Sequence, residues 1–334
     1  MSRKVTITTL AEATGLSLAT VSRALAGADN VLPQTREKVL AVAQSLNYVR
    51  DRTAVRLKTG KTHVLAFIMD RRDARHPGFM DLMLGVSDAI AGSDYHLIVL
   101  PDELDEPLAT IRYVTERGLA DGLVISHTQA DDERVKYLLD AGMPFVTHGR
   151  TNSPTPHGYV DFDNAAYSAN AVRALASRGR KNLALLLPSP GGLFYGHLLQ
   201  GFESACLSHG LRGTAIQEVS LDRSPTDLHA WAVAEAQQYD GIITSREAPV
   251  VALLGALNLL QVRLGHDMDL VIKHSTSFPQ FVHQPMLGCF EDLHQTGWQI
   301  GQVLLKHFTQ PQEPIEQFLF QPPEIKAFHE FKPT

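Results

Sequence analysis

From Thr62 onward the chain alternates short, almost continuously apolar runs with longer amphipathic stretches, and it does so twice. Residues 64–69, 97–100, 122–125 and 144–147 read as buried strands, with helical stretches near 78–91, 107–118 and 131–141 between them. The pattern restarts with 183–187, 216–219, 241–244 and 270–272, separated by helices near 164–177, 196–209, 225–238 and 248–264. A strand that lacks polar alternation must be covered on both faces, and a strand–helix–strand repeat delivers parallel strands with helices on either side. Two successive sets predict an α/β body of two Rossmann-like lobes, whose ligands bind beyond the carboxyl ends of the strands.

The first 61 residues have a different texture. Thr6 can cap a helix over 7–14 with Ile7, Leu10 and Ala11 on one face, and Gly15 can end it in a left-handed turn. Ser17 can cap a second helix over 18–26, with Val21, Ala24 and Leu25 inward. A third starts at Pro33 and runs through Val39, Leu40, Val42 and Ala43 to Leu46, with Tyr48 and Val49 closing a small core. The offsets of Ala11, Gly15 and Val21 are those of a helix-turn-helix: a small contact residue, a turn glycine and a branched residue locking the crossing. This segment holds ten basic and four acidic residues, a net +6, whereas the remainder sums to −12. A cationic head on an anionic body predicts that one end meets a polyanion, and Ser17, Thr20, Ser22 and Arg23 on the outer side of the second helix point to duplex DNA.

The run Val5-Thr-Ile-Thr-Thr-Leu-Ala-Glu-Ala-Thr-Gly-Leu-Ser-Leu-Ala-Thr-Val-Ser-Arg23 closely resembles the amino terminus of LacI-family transcriptional regulators. So do Thr35-Arg-Glu-Lys-Val39 and Leu46-Asn-Tyr48. The resemblance implies that the second helix lies in the major groove, with Leu18 and Ala19 where the family reads sequence and Arg23 reaching guanine or phosphate. Thr6, Ser17, Thr20, Ser22, Asn30, Thr35, Tyr48, Arg52 and Arg56 complete the DNA-facing set. Residues 51–61 then form a hinge, and Leu57 wedges into a central minor-groove step. Arg50-Asp51 stands where the family commonly shows Pro-Asn.

The same resemblance, weaker beyond the head, implies a body of the periplasmic-binding-protein type with the effector between its lobes. His76-Pro-Gly-Phe79, Val160-Asp-Phe-Asp-Asn164 and Gly179-Arg-Lys before residues 183–187 carry it. It implies a head over 1–50 and a hinge over 51–61. One lobe then takes 62–161 plus about 290–320, with a late helix from Asp292 to about Phe308. The other takes 162–289 plus about 321–334. Two positions depart from the family: Leu198 replaces an arginine, and Lys273-His-Ser-Thr276 replaces a Gly-Phe-Asp-Asp-like ending, so effector identity does not carry over.

Strand ends supply the candidate effector contacts: Phe79, Ser126, His148, Arg150, Asp163, Tyr195, His197, Arg246, Glu247, Lys273 and Glu291. Carboxylate, guanidinium and imidazole groups hydrogen-bond paired hydroxyls, and Phe79 and Tyr195 can stack on a sugar ring. With both signs of charge present, a neutral sugar or polyol is expected rather than a strongly anionic metabolite. No glycine-rich phosphate loop follows the first strand, no Gly-Xaa-Ser-Xaa-Gly elbow occurs, and the fifteen histidines form no ligand pair. No cofactor, metal or catalytic constellation is expected, which weighs against a Rossmann-type enzyme. A solute-binding protein retained in the cytoplasm is the other alternative; residues 1–61 and the lack of an apolar leader oppose its export form. Two cysteines and no apolar run near ~20 residues predict a reducing cytoplasm and no membrane span. The expected protein is a homodimeric repressor of carbohydrate-utilisation genes that binds operator DNA.

Overall fold

The computed structural model describes residues 5–28, 30–49, 56–57, 59–71, 77–102, 106–222, 224–282 and 284–328. Arg52, proposed above as a DNA contact, and the hinge entry at Arg50-Asp51 lie outside these. The chain divides into an amino-terminal unit, Met1–Thr62, and a body, His63–Thr334.

Three helices make the amino-terminal unit: α1 (Ile7–Thr14), α2 (Leu18–Leu25) and α3 (Pro33–Ser45). Thr6 and Thr9 form a reciprocal capping box on α1, and the Ser17 hydroxyl accepts the Thr20 N–H of α2 at 3.1 Å. Gly15 sits at φ 68° with open space where a Cβ would stand, so the sign of φ selects glycine there, not crowding. Leu10, Val21, Ala24, Val31, Val39 and Ala43 form the core, while Leu40 is left half exposed on the outer side of α3. Two cations serve this fold: Lys38 Nζ donates to Thr14 O at 2.8 Å, and Arg36 donates to Gly27 O and Ala28 O. Each neutralises carbonyls at the end of a preceding helix or its turn.

The body contains two six-stranded sheets. The first joins β1 (Val64–Met69), β2 (His96–Pro101), β3 (Gly122–Ile125), β4 (Phe145–His148), β5 (Gly158–Phe162) and β11 (Gln317–Phe320) in the order β11-β5-β4-β3-β1-β2, all parallel. The second joins β6 (Asn182–Leu186), β7 (Arg212–Ile216), β8 (Gly241–Thr244), β9 (Asp269–His274), β10 (Leu287–Phe290) and β12 (Lys326–Ala327) in the order β12-β10-β9-β8-β6-β7. Among the described residues only the β10–β12 pair is antiparallel. The chain therefore passes between sheets after β5, after β10 and after β11.

Helices cover both sheets. They are α4 (Phe79–Ile90), α5 (Ala109–Glu116) and α6 (Glu133–Asp140), then α7 (Asn164–Ser177), α8 (Leu193–His209), α9 (Pro225–Glu235), α10 (Val250–Leu259), the short α11 (Phe278–Phe281) and α12 (Leu293–Thr309). The observed β7 ends where the apolar run 216–219 places its start. Arg212, Gly213 and Thr214 lie exposed on the sheet edge, so no apolar run marks the strand. The stretch 248–264 shortens to α10, because Gln261 turns left-handed at φ 57° after Leu260.

Candidate functional site

Strand carboxyl ends of both sheets meet at one cavity of the body, lined among others by Phe79, Ser126, His148, Arg150, Tyr195, Arg246, Lys273 and Glu291. Among the described residues three Lys or Arg side chains line it, each with a carboxylate. Arg150 Nε donates to Asp161 Oδ2 at 2.6 Å, Arg246 Nη2 stands 3.1 Å from Asp222 Oδ1, and Lys273 Nζ stands 2.6 Å from Glu291 Oε2. Lys273 also donates to Asn164 Oδ1 at 2.8 Å and lies about 5 Å from the ring centres of Phe162 and Phe194. Pairing on that scale leaves the wall rich in directed hydrogen-bonding groups but close to neutral.

The other predicted contacts are placed differently. His197, on α8, takes a hydrogen bond on Nδ1 from Arg150 Nη2 at 3.2 Å, across from the first sheet. Burial, and then the Arg150 charge, hold its pKa below the ordinary histidine value, which keeps Nδ1 an acceptor. Asp163 caps α7, accepting the Ala166 N–H at 3.0 Å. Glu247 does not line the cavity: its carboxylate accepts the Thr276 hydroxyl at 2.8 Å and the Ser275 N–H at 3.2 Å, and burial raises its pKa. It ties the segment after β8 to the segment after β9.

Several cavity residues escaped the sequence reading. Ser245, only 4% exposed, carries a hydroxyl with no hydrogen-bond partner among the described residues, and Arg246 Nε beside it is likewise buried without one. The Tyr167 hydroxyl fixes that strand end by donating to Thr244 O at 2.7 Å. Opposite, the buried Arg134 donates to the carbonyls of Ser126 and His127 at 3.1 Å and pairs with Asp132 and Asp102. Burial alone would raise the pKa of Asp132, yet the Arg134 bonds keep it low. Polar residues beyond strand ends were a usable signal for Ser245 and Asp222; nothing in the string marked Arg134 as their support.

In the amino-terminal unit, Ser17, Leu18, Ala19 and Arg23 are exposed and Thr20 and Ser22 half exposed along one side of α2. Arg23 Nε donates to Ala19 O at 3.3 Å, laying the guanidinium along the helix. The Thr6 hydroxyl is engaged with that of Thr9 and the Ser17 hydroxyl with that of Thr20, while Asn30 is exposed and Thr35 and Tyr48 half buried. Arg56 is exposed, and Leu57 is 85% exposed.

Residues 6–51 match the sequence family described as bacterial regulatory proteins, lacI family. Residues 62–232 match the one described as periplasmic binding proteins and sugar binding domain of LacI family. The chain is 35% identical over 225 residues to the HTH-type transcriptional regulator RafR of Escherichia coli, covering 67% of this chain and 66% of that one. It is 32% identical over 314 residues to AglR of Rhizobium meliloti, covering 90% and 87%. Among solved structures, the lac repressor dimer bound to operator and the anti-inducer ONPF aligns with a TM-score of 0.81 at 19% identity over 97% of this chain and 98% of that one. The transcriptional regulator CelR–cellobiose complex aligns at 0.70 and 21% identity, over 96% and 98%. Among the described residues no helix is long and apolar enough to cross a membrane, and no group of three or more His, Cys, Asp or Glu side chains could hold a metal ion.

Proposed function

The chain belongs to the LacI family of bacterial regulatory proteins, and from that premise we propose a repressor whose hold on operator DNA is set by a neutral sugar or polyol bound in the body. The observation that carries the effector class is that the three cations lining the cavity among the described residues, Arg150, Arg246 and Lys273, are each paired with a carboxylate. A site for a phosphorylated or acidic metabolite leaves cations uncompensated; this one offers fixed donors and acceptors to hydroxyls. Ser245 and Arg246 Nε supply unused hydrogen-bonding capacity, and Phe79 and Tyr195 offer ring faces. The matched sugar binding domain family and the cellobiose-bound CelR lend the same direction.

On the DNA side, α2 carries Leu18 and Ala19 as apolar readers of thymine methyls and Arg23 as the polar reader. Exposed Leu57 is the side chain with most to gain from a minor-groove step. The protein acts as a homodimer in the cytoplasm, because one head of this size supplies too little specificity alone. Effector and operator then oppose or reinforce each other by ~1–3 kcal/mol, reciprocally. The relatives are regulators, and no reaction is assigned to the body.

A thermal-shift screen of the full chain against cellobiose, maltose and raffinose, with glucose 6-phosphate as the anionic control, tests the effector class. Stabilisation by a neutral saccharide and none by the phosphate is expected; the reverse overturns it. Selection from random duplexes with the purified protein tests the DNA reading, with a two-fold symmetric site as the expected product.

A further inference from the structure

Two helices of the first lobe start at the cavity. α4 begins at Phe79 and α12 just after Glu291, and Phe79, Glu291 and Leu293 all line the wall. Glu291 takes the 2.6 Å ion pair from Lys273, and the next residue, Asp292, caps α12 by accepting the Gln295 N–H at 2.8 Å. The pair is thus one residue from the first turn of the helix. α12 runs 17 residues, about 25 Å. Near its far end the Phe308 ring stacks on Tyr95, centres 4.9 Å apart and planes 9° from parallel, and Tyr95 lies 5.2 Å from the ring of His63.

His63 is the first residue of the body, two residues beyond the hinge proposed over 51–61. Its N–H donates to Asp121 Oδ2 at 2.9 Å and its carbonyl accepts the His96 N–H at 3.1 Å. The neighbour of Asp121 is Gly122, where a Cβ would stand 2.7 Å from Phe308 Cζ. The carboxylate that anchors His63 and the glycine that admits Phe308 are therefore adjacent. α4 and α12 lie backbone against backbone: a Cβ on Gly85 would fall 2.0 Å from His294 O, and one on Gly297 2.0 Å from Leu82 O. Gln302 Nε2 donates to Ala89 O at 3.2 Å as well. Backbones in direct contact transmit a displacement, because close packing leaves no slack to absorb it.

We propose that α4 and α12 form a rigid strut by which the Lys273–Glu291 pair in the cavity sets the placement of His63, with Tyr95 and Phe308 as its positioning residues. The inference rests on the reading of the protein as an effector-controlled regulator and adds the route of control. A ligand hydroxyl that draws on Lys273 or Glu291 reorients the segment entering α12. The helix pair carries that change to the aromatic stack, and the stack moves His63, two residues from the hinge.

Hydrogen exchange of the full-length chain tests this without an identified effector. Glu291→Gln keeps the side-chain shape and removes the charge; it is expected to speed exchange of the His63 amide by about two- to thirtyfold. Residues 182–186, the corresponding strand of the second sheet, should stay unchanged, which a general loss of stability would not allow. Tyr95→Leu and Phe308→Leu are the backgrounds for a double-mutant cycle, and in whichever folds by circular dichroism Glu291→Gln should have no further effect. No change at His63, or equal changes with and without the stack, overturns the strut. In a parallel arm, Glu291→Gln should also alter affinity for a selected duplex, again only with the stack intact. If the parent chain binds no duplex, the regulator reading fails, and the exchange arm still decides the strut.

Discussion

The α2 face and the cavity use polar side chains in opposite ways. On α2, eight residues in succession place Arg23 and the small hydroxyl residues outward, over a core of six buried apolar side chains. In the cavity, each lining Lys or Arg among the described residues is met by a carboxylate, and supporting residues such as Arg134 are buried. The difference fits the partner proposed for each: a polyanion rewards charge left in the open, whereas a neutral ligand rewards charge already balanced. It also means that charge removal has different consequences at the two places.

The sharpest contrast is Arg134→Met in the body. It removes Arg134 from the buried Asp132 and Asp102, which should cost about 3–5 kcal/mol, and takes its hydrogen bonds from the Ser126 and His127 carbonyls. Denaturant unfolding should show the body transition moving while duplex binding at low denaturant is retained. A body as stable as the parent would break the claim that its polar groups bear structural weight. Next in size is Leu10→Ala in the head, where loss of a fully buried side chain from so small a core should cost about 2–5 kcal/mol. Duplex binding should fall with the head's own melting, and the body's transition should stay in place.

Arg23→Ala removes an exposed group, so neither transition should move. Specific duplex affinity should drop by about 1–3 kcal/mol, against a smaller loss on random-sequence DNA, with saccharide affinity unchanged by calorimetry. Equal losses on both duplexes would make Arg23 a phosphate contact. Leu57→Ala should act more weakly on affinity and more strongly on DNA bending, read by gel mobility of phased sites.

These two regions also differ in how much the string of residues revealed. The head was legible because its signals are local. Thr6, Gly15, Ser17 and Pro33 each act within one turn, and the three helices begin where those residues place them. The first sheet's central strands were legible as unbroken apolar runs. Edge strands β7 and β11 were not, since Arg212–Thr214 and Gln317 face solvent and break the pattern. Strand ends named eight cavity residues but could not say which polar groups are already engaged. Glu247 is occupied by Ser275 and Thr276, and Asp163 by its helix, through contacts that only the folded chain creates. Ser245 went unnoticed for the converse reason, as its importance lies in a bond it does not make.

The smallest expected effect is of pH, and it too should separate the regions. All fifteen histidines lie in residues 63–334, none in the head. Burial lowers the pKa of His157 and His274, and burial with Arg150 lowers that of His197. A depressed histidine pKa means that the unfolded chain takes up the proton first on acidification. Stability is therefore full above the ordinary value of 6.5 and is lost as pH falls below it toward the folded-state values. Glu247 pulls the other way: its raised pKa lets the folded chain take up a proton before the unfolded chain does, but it is one carboxyl against three imidazoles. Between pH 7.5 and 5.5, a window spanning the ordinary histidine value of 6.5, the body's melting temperature should fall while the head's does not. His197→Gln should remove part of that slope and leave an acceptor for Arg150, whereas a slope carried equally by the head would show that other groups control the acid response.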